Sequence, residues 1–246
     1  MNIVKNDLFD YGLSIFQEKD CFKFSLDSIL LAEFVEKKKE INSIVDFCCG
    51  NAAVPLILST KFKSKIIGFE IQKLPYELAF SSVKLNKLDS QIKIINDNLN
   101  NALEYILPES IDVITCNPPY FKYNKESNIN LVKEKAVARH EIETDLEKIL
   151  ISARYILKNK GSLYMVHRPE RLQEIFTIFE KYKFTIKKIQ FIYSDFNKEA
   201  LMILIKATKN GLSGLKIGKP IDITNYKSYK NMFDWGDKYE NDSWTG

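Results

Sequence analysis

Asn117-Pro118-Pro119-Tyr120-Phe121 follows directly on the β-branched run Ile111-Asp112-Val113-Ile114-Thr115-Cys116. Two prolines stiffen the backbone and remove two amide donors, so such a turn presents carbonyl oxygens rather than N–H groups. The Asn117 carboxamide adds an acceptor, and Tyr120 offers a face on which a ring can lie, worth ~1–3 kcal/mol for a stacked base. Acceptors at a rim suit a planar amine such as the exocyclic nitrogen of adenine, whose lone pair is delocalised into its ring. When that nitrogen attacks an activated methyl in line, positive charge moves onto it. Oxygens of Asn117 and Pro118 would stabilise the charge without a strong general base. The plainer reading is a rigid turn, with Phe121 as a core or lid residue instead of an extension of the stacking surface.

The rest of the chain is poor in other catalytic equipment. Two histidines, His140 and His167, leave little room for a histidine triad. The four cysteines, 21, 48, 49 and 116, have neither zinc-site spacing nor the density of a disulfide scaffold. They read as free thiols, and no metal is expected.

A second constellation lies upstream. Asp46-Phe47-Cys48-Cys49-Gly50-Asn51-Ala52 closes a β-branched run with small residues, and Glu70 stands twenty positions beyond Gly50. That is the distance at which a doubly wound fold places an acid that accepts two ribose hydroxyls, with Ile71 beside it. A pyrophosphate needs close backbone around a G-x-G-x-x-G turn, and Gly50 is the one glycine here. A dinucleotide is therefore disfavoured, and S-adenosylmethionine, a phosphate-free cation, fits better. Asp46 would orient the turn or the amino-acid end of that ligand. Asp97 or Asn98, followed by Leu99, would contact its adenine. Cys48 and Cys49 read as small turn residues rather than a redox switch.

The elements that must position these residues are short. Runs at 44–47, 65–69, 92–95 and 111–115 predict strands; helical lengths separate the first three, as in a parallel βαβαβ unit. A helix over 145–157 is expected to end at Gly161 as its left-handed cap. A strand over 162–167, a helix over 170–182 and strands over 185–193 and 200–206 follow, the last two too close for anything but an antiparallel pair. The expectation is α/β: a Rossmann-like, seven-stranded, mostly parallel sheet of the methyltransferase type with a C-terminal antiparallel hairpin. With 246 residues the chain reads as one domain. A hairpin across 8–24 and a helix over 27–35 occupy residues 1–42, the core spans 43–206, and an aromatic tail, expected to be loop-like, runs over 207–246.

These residues resemble the class I S-adenosylmethionine-dependent amino-methyltransferases that carry an Asn-Pro-Pro-Tyr tetrapeptide. More narrowly, three stretches resemble the bacterial tRNA(Val) adenine-N6-methyltransferases: Phe22-Lys23-Phe24-Ser25-Leu26-Asp27-Ser28-Ile29-Leu30-Leu31-Ala32, Ala138-Arg139-His140-Glu141, and His167-Arg168-Pro169-Glu170-Arg171-Leu172. The resemblance spans roughly 20–211 and implies methylation of the adenine next to the anticodon, position 37, in a tRNA. One departure is the family's glycine-rich loop, here reduced to Cys48-Cys49-Gly50-Asn51-Ala52. Asp27 reads as a helix N-cap or a cofactor contact. Arg139 and His140, in a segment long enough for a lid, read as phosphate or substrate contacts or as surface charge. Arg168 and Arg171 suit phosphate better, because the guanidinium fork matches it and the chain has 4 arginines against 32 lysines.

The net charge is +4, but residues 158–209 hold 11 basic and 5 acidic side chains, so one half is electropositive and compatible with a polyanion. No run reaches the ~18–20 apolar residues of a membrane span, and the first residues lack a signal-peptide layout. A cytoplasmic protein is the expectation, with monomer and homodimer both open. Three other functions share parts of this pattern. A protein glutamine N5-methyltransferase faces the same planar amide nitrogen, but such enzymes carry a helical domain ahead of the fold and about 42 residues precede it here. A DNA adenine methyltransferase needs a separate recognition domain, and a catalytically silent RNA-binding scaffold needs no donor at all.

Overall fold

The computed structural model describes residues 3–18, 26–37, 40–119, 146–225, 229, 230 and 233. Its centre is a mixed sheet built on β3 (Ser43–Phe47), β4 (Lys65–Phe69), β5 (Ile92–Ile95), β6 (Ile111–Cys116), β7 (Leu157–His167), β8 (Phe184–Tyr193) and β9 (Met202–Lys209). Their spatial order is β8-β9-β7-β6-β3-β4-β5. The pairings of β3 with β4, β4 with β5, β3 with β6 and β6 with β7 are parallel. Those of β7 with β9 and β8 with β9 are antiparallel.

Side chains alternate between two apolar layers, as a sheet covered on both faces requires. Ile44, Ile66, Val113, Tyr164 and Val166 enter one core with α1 (Leu26–Phe34), α2 (Ala53–Lys61) and α3 (Lys73–Leu85). Val45, Phe47, Phe69, Ile114, Leu163 and Met165 enter the other with α4 (Ala102–Tyr105), α5 (Leu146–Ile156) and α6 (Leu172–Lys181). The period-2 alternation places Asp46 and Thr115 on the α1–α3 face, two residues along from Ile44 and Val113.

Three local expectations are corrected. The N-terminal hairpin pairs β1 (Ile3–Leu8) with β2 (Leu13–Glu18), earlier than 8–24, because the chain reverses around Gly12 at φ 66°. Gly161 is not the left-handed residue after α5. Lys160 is, at φ 64°, and residues 158–161 form a bulge between the rungs Leu157/Ile111 and Ser162/Val113. The tail is not wholly loop-like. β9 continues to Lys209, two two-residue strands, β10 (Lys216–Ile217) and β11 (Ile221–Asp222), join β8 in parallel, and Phe233 packs edge-on to Phe34 at 5.4 Å. With β10 and β11 the sheet has nine strands, the seven expected ones being the longer members.

Candidate active site

Register brings the site together. Phe47 lies opposite Phe69 and Cys116, and Phe69 opposite Ile95. The residues one step beyond that rung are Cys48, Glu70, Asn96 and Asn117. Four chain segments therefore leave the sheet side by side at its carboxyl edge. β3 lies between β4, its next strand in sequence, and β6, reached only after the chain has returned, so the edge is a topological switch point.

The turn after β3 is wound through three left-handed residues, Cys48 (φ 60°), Gly50 (φ 55°) and Ala52 (φ 72°). For cysteine and alanine this costs about 1 kcal/mol or more each, strain that the surroundings must hold in place. Cys49 N–H donates to Phe69 O at 2.9 Å, and Glu70 Oε2 accepts the Gly50 amide at 2.9 Å. The Asn51 side chain donates to Phe16 O at 3.1 Å, tying the turn to the hairpin. A Cβ built on Gly50 would meet nothing within 4 Å, so open space lies over the turn there. Beneath it Gly68 is crowded, because a Cβ would stand 2.8 Å from Cys49 Sγ.

Glu70 is 5% exposed; its Oε1 accepts the Gln72 amide at 2.8 Å. Burial raises its carboxyl above the usual range against the opposing pull of those backbone amides. Asp46 is 1% exposed. Its Oδ1 accepts Thr115 Oγ1 at 2.5 Å across the rung, while its Oδ2 has no partner. Burial first, with Glu70 adding repulsion, pushes this carboxyl up to about 8; the Thr115 hydroxyl opposes the shift.

Asn117 is half-buried and its Nδ2 donates to Ser28 Oγ at 3.2 Å, so the first turn of α1, which also carries Asp27, stands against the end of β6. Nothing in the sequence gives Ser28 a role of its own; its signals are its place beside Asp27 and within the stretch 22–32. Pro118 is buried and Pro119 half-buried. Asn96 was missed too: its side-chain amide donates to Glu70 O at 2.8 Å and Ile71 O at 3.2 Å, joining the ends of β4 and β5. Asp97 accepts Asn98 N–H (2.6 Å), Asn101 Nδ2 (2.9 Å) and Tyr105 Oη (2.7 Å), and these bonds, the Tyr105 one foremost, hold its carboxyl below the usual range. Asn98 Oδ1 caps the following turn by accepting Asn100 N–H at 2.9 Å, and Leu99 is buried beneath it.

Tyr120, Phe121, Arg139 and His140 lie outside the described residues. At the end of β7, His167 is 1% exposed and its Nδ1 accepts the Arg168 amide at 2.8 Å. The other ring nitrogen, Nε2, lies 3.4 Å from Arg171 Nη1. Burial, then the charge of Arg171, pushes the imidazole down to about 4. Arg171 forms a bidentate pair with Glu174 (3.0 and 2.5 Å), and Arg168 donates to Leu201 O at 3.2 Å. The basic excess of 158–209 is likewise partly offset by acids from outside it. Asp112 pairs with Lys158, Glu147 with Lys181, Glu36 with Lys188 and Lys206, and Glu109 with Lys209. Among the described residues no helix is long and apolar enough to cross a membrane, and no three of His, Cys, Asp and Glu cluster to hold a metal.

A doubly wound sheet with a small-residue turn after one central strand and a buried acid after the next defines an enzyme fold for a nucleoside-bearing cofactor. The methyltransferase small-domain family matches residues 23–193, and the chain belongs to that family. The cofactor of this methyltransferase is S-adenosyl-L-methionine, and the residues present fit it: Glu70 as an acceptor, open space over Gly50, and a buried Asp46 oxygen without a partner. Similar proteins include the tRNA1(Val) (adenine(37)-N6)-methyltransferase of Porphyromonas gingivalis, 24% identical over 80% of this chain and 79% of that one. The protein of the same name from Flavobacterium psychrophilum is 23% identical over 80% and 84%. A release factor glutamine methyltransferase from Aliivibrio fischeri is 27% identical over 62% and 55%. Among solved structures, a predicted O-methyltransferase from Agrobacterium tumefaciens shares the fold with a TM-score of 0.66 at 19% identity, over 85% of this chain and 94% of that one.

Proposed function

We propose that this methyltransferase acts on the exocyclic N6 of an adenine in tRNA, at position 37 beside the anticodon. The observation that carries the reading is the shared rung: the acceptor-bearing Asn117 leaves the sheet beside the cofactor turn and Glu70. Relatives named for this reaction align over about four-fifths of the chain.

S-adenosylmethionine supplies a methyl group activated by a positive sulfur. Glu70 accepts the ribose hydroxyls, Ile71 packs beside them, and Asp97 and Asn98, with Leu99 below, meet the adenine edge. Cys48, Gly50 and Asn51 let the backbone approach closely, while Asp46 orients the turn from below and Asp27 serves the amino-acid end. Asn117 Oδ1 and the Pro118 carbonyl accept the N–H groups of the target amine. As the amine takes the methyl group, those acceptors would hold the positive charge that develops on its nitrogen, and its proton would leave to solvent. Tyr120 and Phe121 stack the splayed base, offsetting an unstacking cost of a few kcal/mol. Arg139 and His140 meet the RNA; Arg168 and Arg171 reach phosphate by exchanging their present protein partners.

Mass spectrometry of nucleosides from purified tRNA, rRNA and DNA of a deletion strain tests the substrate. Loss of N6-methyladenosine from one tRNA is expected. Unchanged N6-methyladenosine in every tRNA, together with loss of a methylated glutamine in a protein, would replace this reading with amide methylation. For the chemistry, Asn117→Ala should bind the donor with nearly unchanged affinity while turnover falls about 100-fold or more.

A further inference from the structure

Asp46 and Glu70 end neighbouring strands as two buried carboxyls, and neither has an ion pair among the described residues. Glu70 is compensated by backbone amides at both oxygens. Asp46 has one compensating bond, from Thr115, and an oxygen left over. A pair of buried acids without a counter-charge is costly unless one stays protonated or a cation arrives. The donor of this family is such a cation, and its product, S-adenosylhomocysteine, has lost the charge on sulfur. In a site shielded from water, a carboxylate need not touch the sulfur to favour one over the other.

The groups that act on Asp46 can be named from every side. Glu70, at the end of β4, and burial favour its neutral form; Thr115, on β6, is the single donor that favours the anion. The Cys49 thiol in the turn and the Cys116 thiol on β6 feel the Asp46 charge and, being buried, stay protonated. Thr115 sits two residues before Asn117 and in register with Asp46, so one hydroxyl links the rim strand to the cofactor strand.

We propose that Thr115 is a positioning residue that sets donor-over-product preference: its hydroxyl, bonded to Asp46 Oδ1 across the rung, favours the Asp46 anion, which with Glu70 draws the positively charged sulfur and lets the neutral product go. This deepens the proposed cofactor site and rests on it. Donor binding and ionisation of Asp46 are then linked, and the preference grows as pH rises.

Titration calorimetry with S-adenosylmethionine and with S-adenosylhomocysteine, between about pH 6 and about pH 9, tests this on the full chain. The wild type should show a donor-to-product affinity ratio that climbs with pH. Thr115→Val, close in shape, should lower that ratio about tenfold near neutrality and move the climb to higher pH, the loss expected for a hydrogen bond to a charged group. Thr115→Ser should restore both, and Asp46→Asn should give a low ratio that ignores pH. A thermal melt shows that each variant is folded. Folded Thr115→Val with the wild-type ratio at every pH overturns the inference and leaves the cofactor site standing. Equal weakening of both ligands, which leaves the ratio where it was, also overturns it, by marking a purely structural role. Wild type that binds neither ligand overturns the cofactor site and this inference together.

Discussion

Glu70 Oε2 accepts the Gly50 amide at 2.9 Å, so the acid that ends one strand closes the turn that ends its neighbour. Its other oxygen holds the Gln72 amide at 2.8 Å, at the start of α3. One buried carboxyl thus shapes the turn before any ligand arrives, and each oxygen retains a lone pair for a hydroxyl. Glu70→Gln keeps one acceptor but turns an amide donor towards a backbone N–H. Donor affinity, measured by calorimetry, should fall about tenfold or more, and Glu70→Ala should lose more still. Wild-type affinity in either variant would remove Glu70 from the cofactor site.

Gly50 separates stability from binding. Its φ of 55° strains any side chain, yet the space over its Cβ is open. Gly50→Ala should therefore cost about 1 kcal/mol in urea unfolding. Donor affinity should drop far more, by over tenfold, because the methyl would occupy the space over the turn.

Gly68 is the reverse case, ordinary in φ and crowded. A methyl there would meet Cys49 Sγ at 2.8 Å and Ile94 Cδ1 at 3.0 Å. Gly68→Ala should destabilise the fold by about 1–3 kcal/mol. Adding Cys49→Ala, which removes the nearest atom, should recover part of that loss. Strict additivity of the two changes in a double-mutant cycle would contradict the packing described.

His167 gives the protein an acid sensitivity of defined sign. Its folded value is depressed to about 4, so the neutral ring is favoured by folding. The stability this contributes is complete above the unfolded value near pH ~6.5. It is lost as pH falls towards about 4, by about 2–3 kcal/mol over that window. His167→Gln should flatten this part of the stability profile in denaturant unfolding. A profile of unchanged slope between those limits would show that His167 does not titrate as described.

The architecture was legible because its signals are local. The strand runs around Val45, Ile67, Ile94 and Ile114 are β-branched and bounded by turns, and four such runs, the first three with helical spacers, admit few arrangements. Two-residue strands such as Lys216–Ile217 have no period to read, so the sequence of the tail predicts loop where the sheet gains two short strands. Gly161 invited a cap assignment that Lys160 fills, because at that bulge backbone crowding by Lys158 O and Asp112 O demands a missing Cβ.

Residue types alone determined the chemistry within reach: an amide and two prolines for a planar amine, one acid for a ribose, and too few histidines for a triad. Which of these stand together is a matter of register. The pairing of Asp46 with Thr115, the bond from Asn117 to Ser28 and the clasp of Asn96 on Glu70 join residues 69, 89 and 26 positions apart. Such contacts leave no periodic trace along the chain, since they depend on where each strand begins in the sheet. Burial did the same for charge: identical carboxyl groups at 46 and 97 are driven in opposite directions, one by the loss of water and the other by its hydrogen-bonded neighbours.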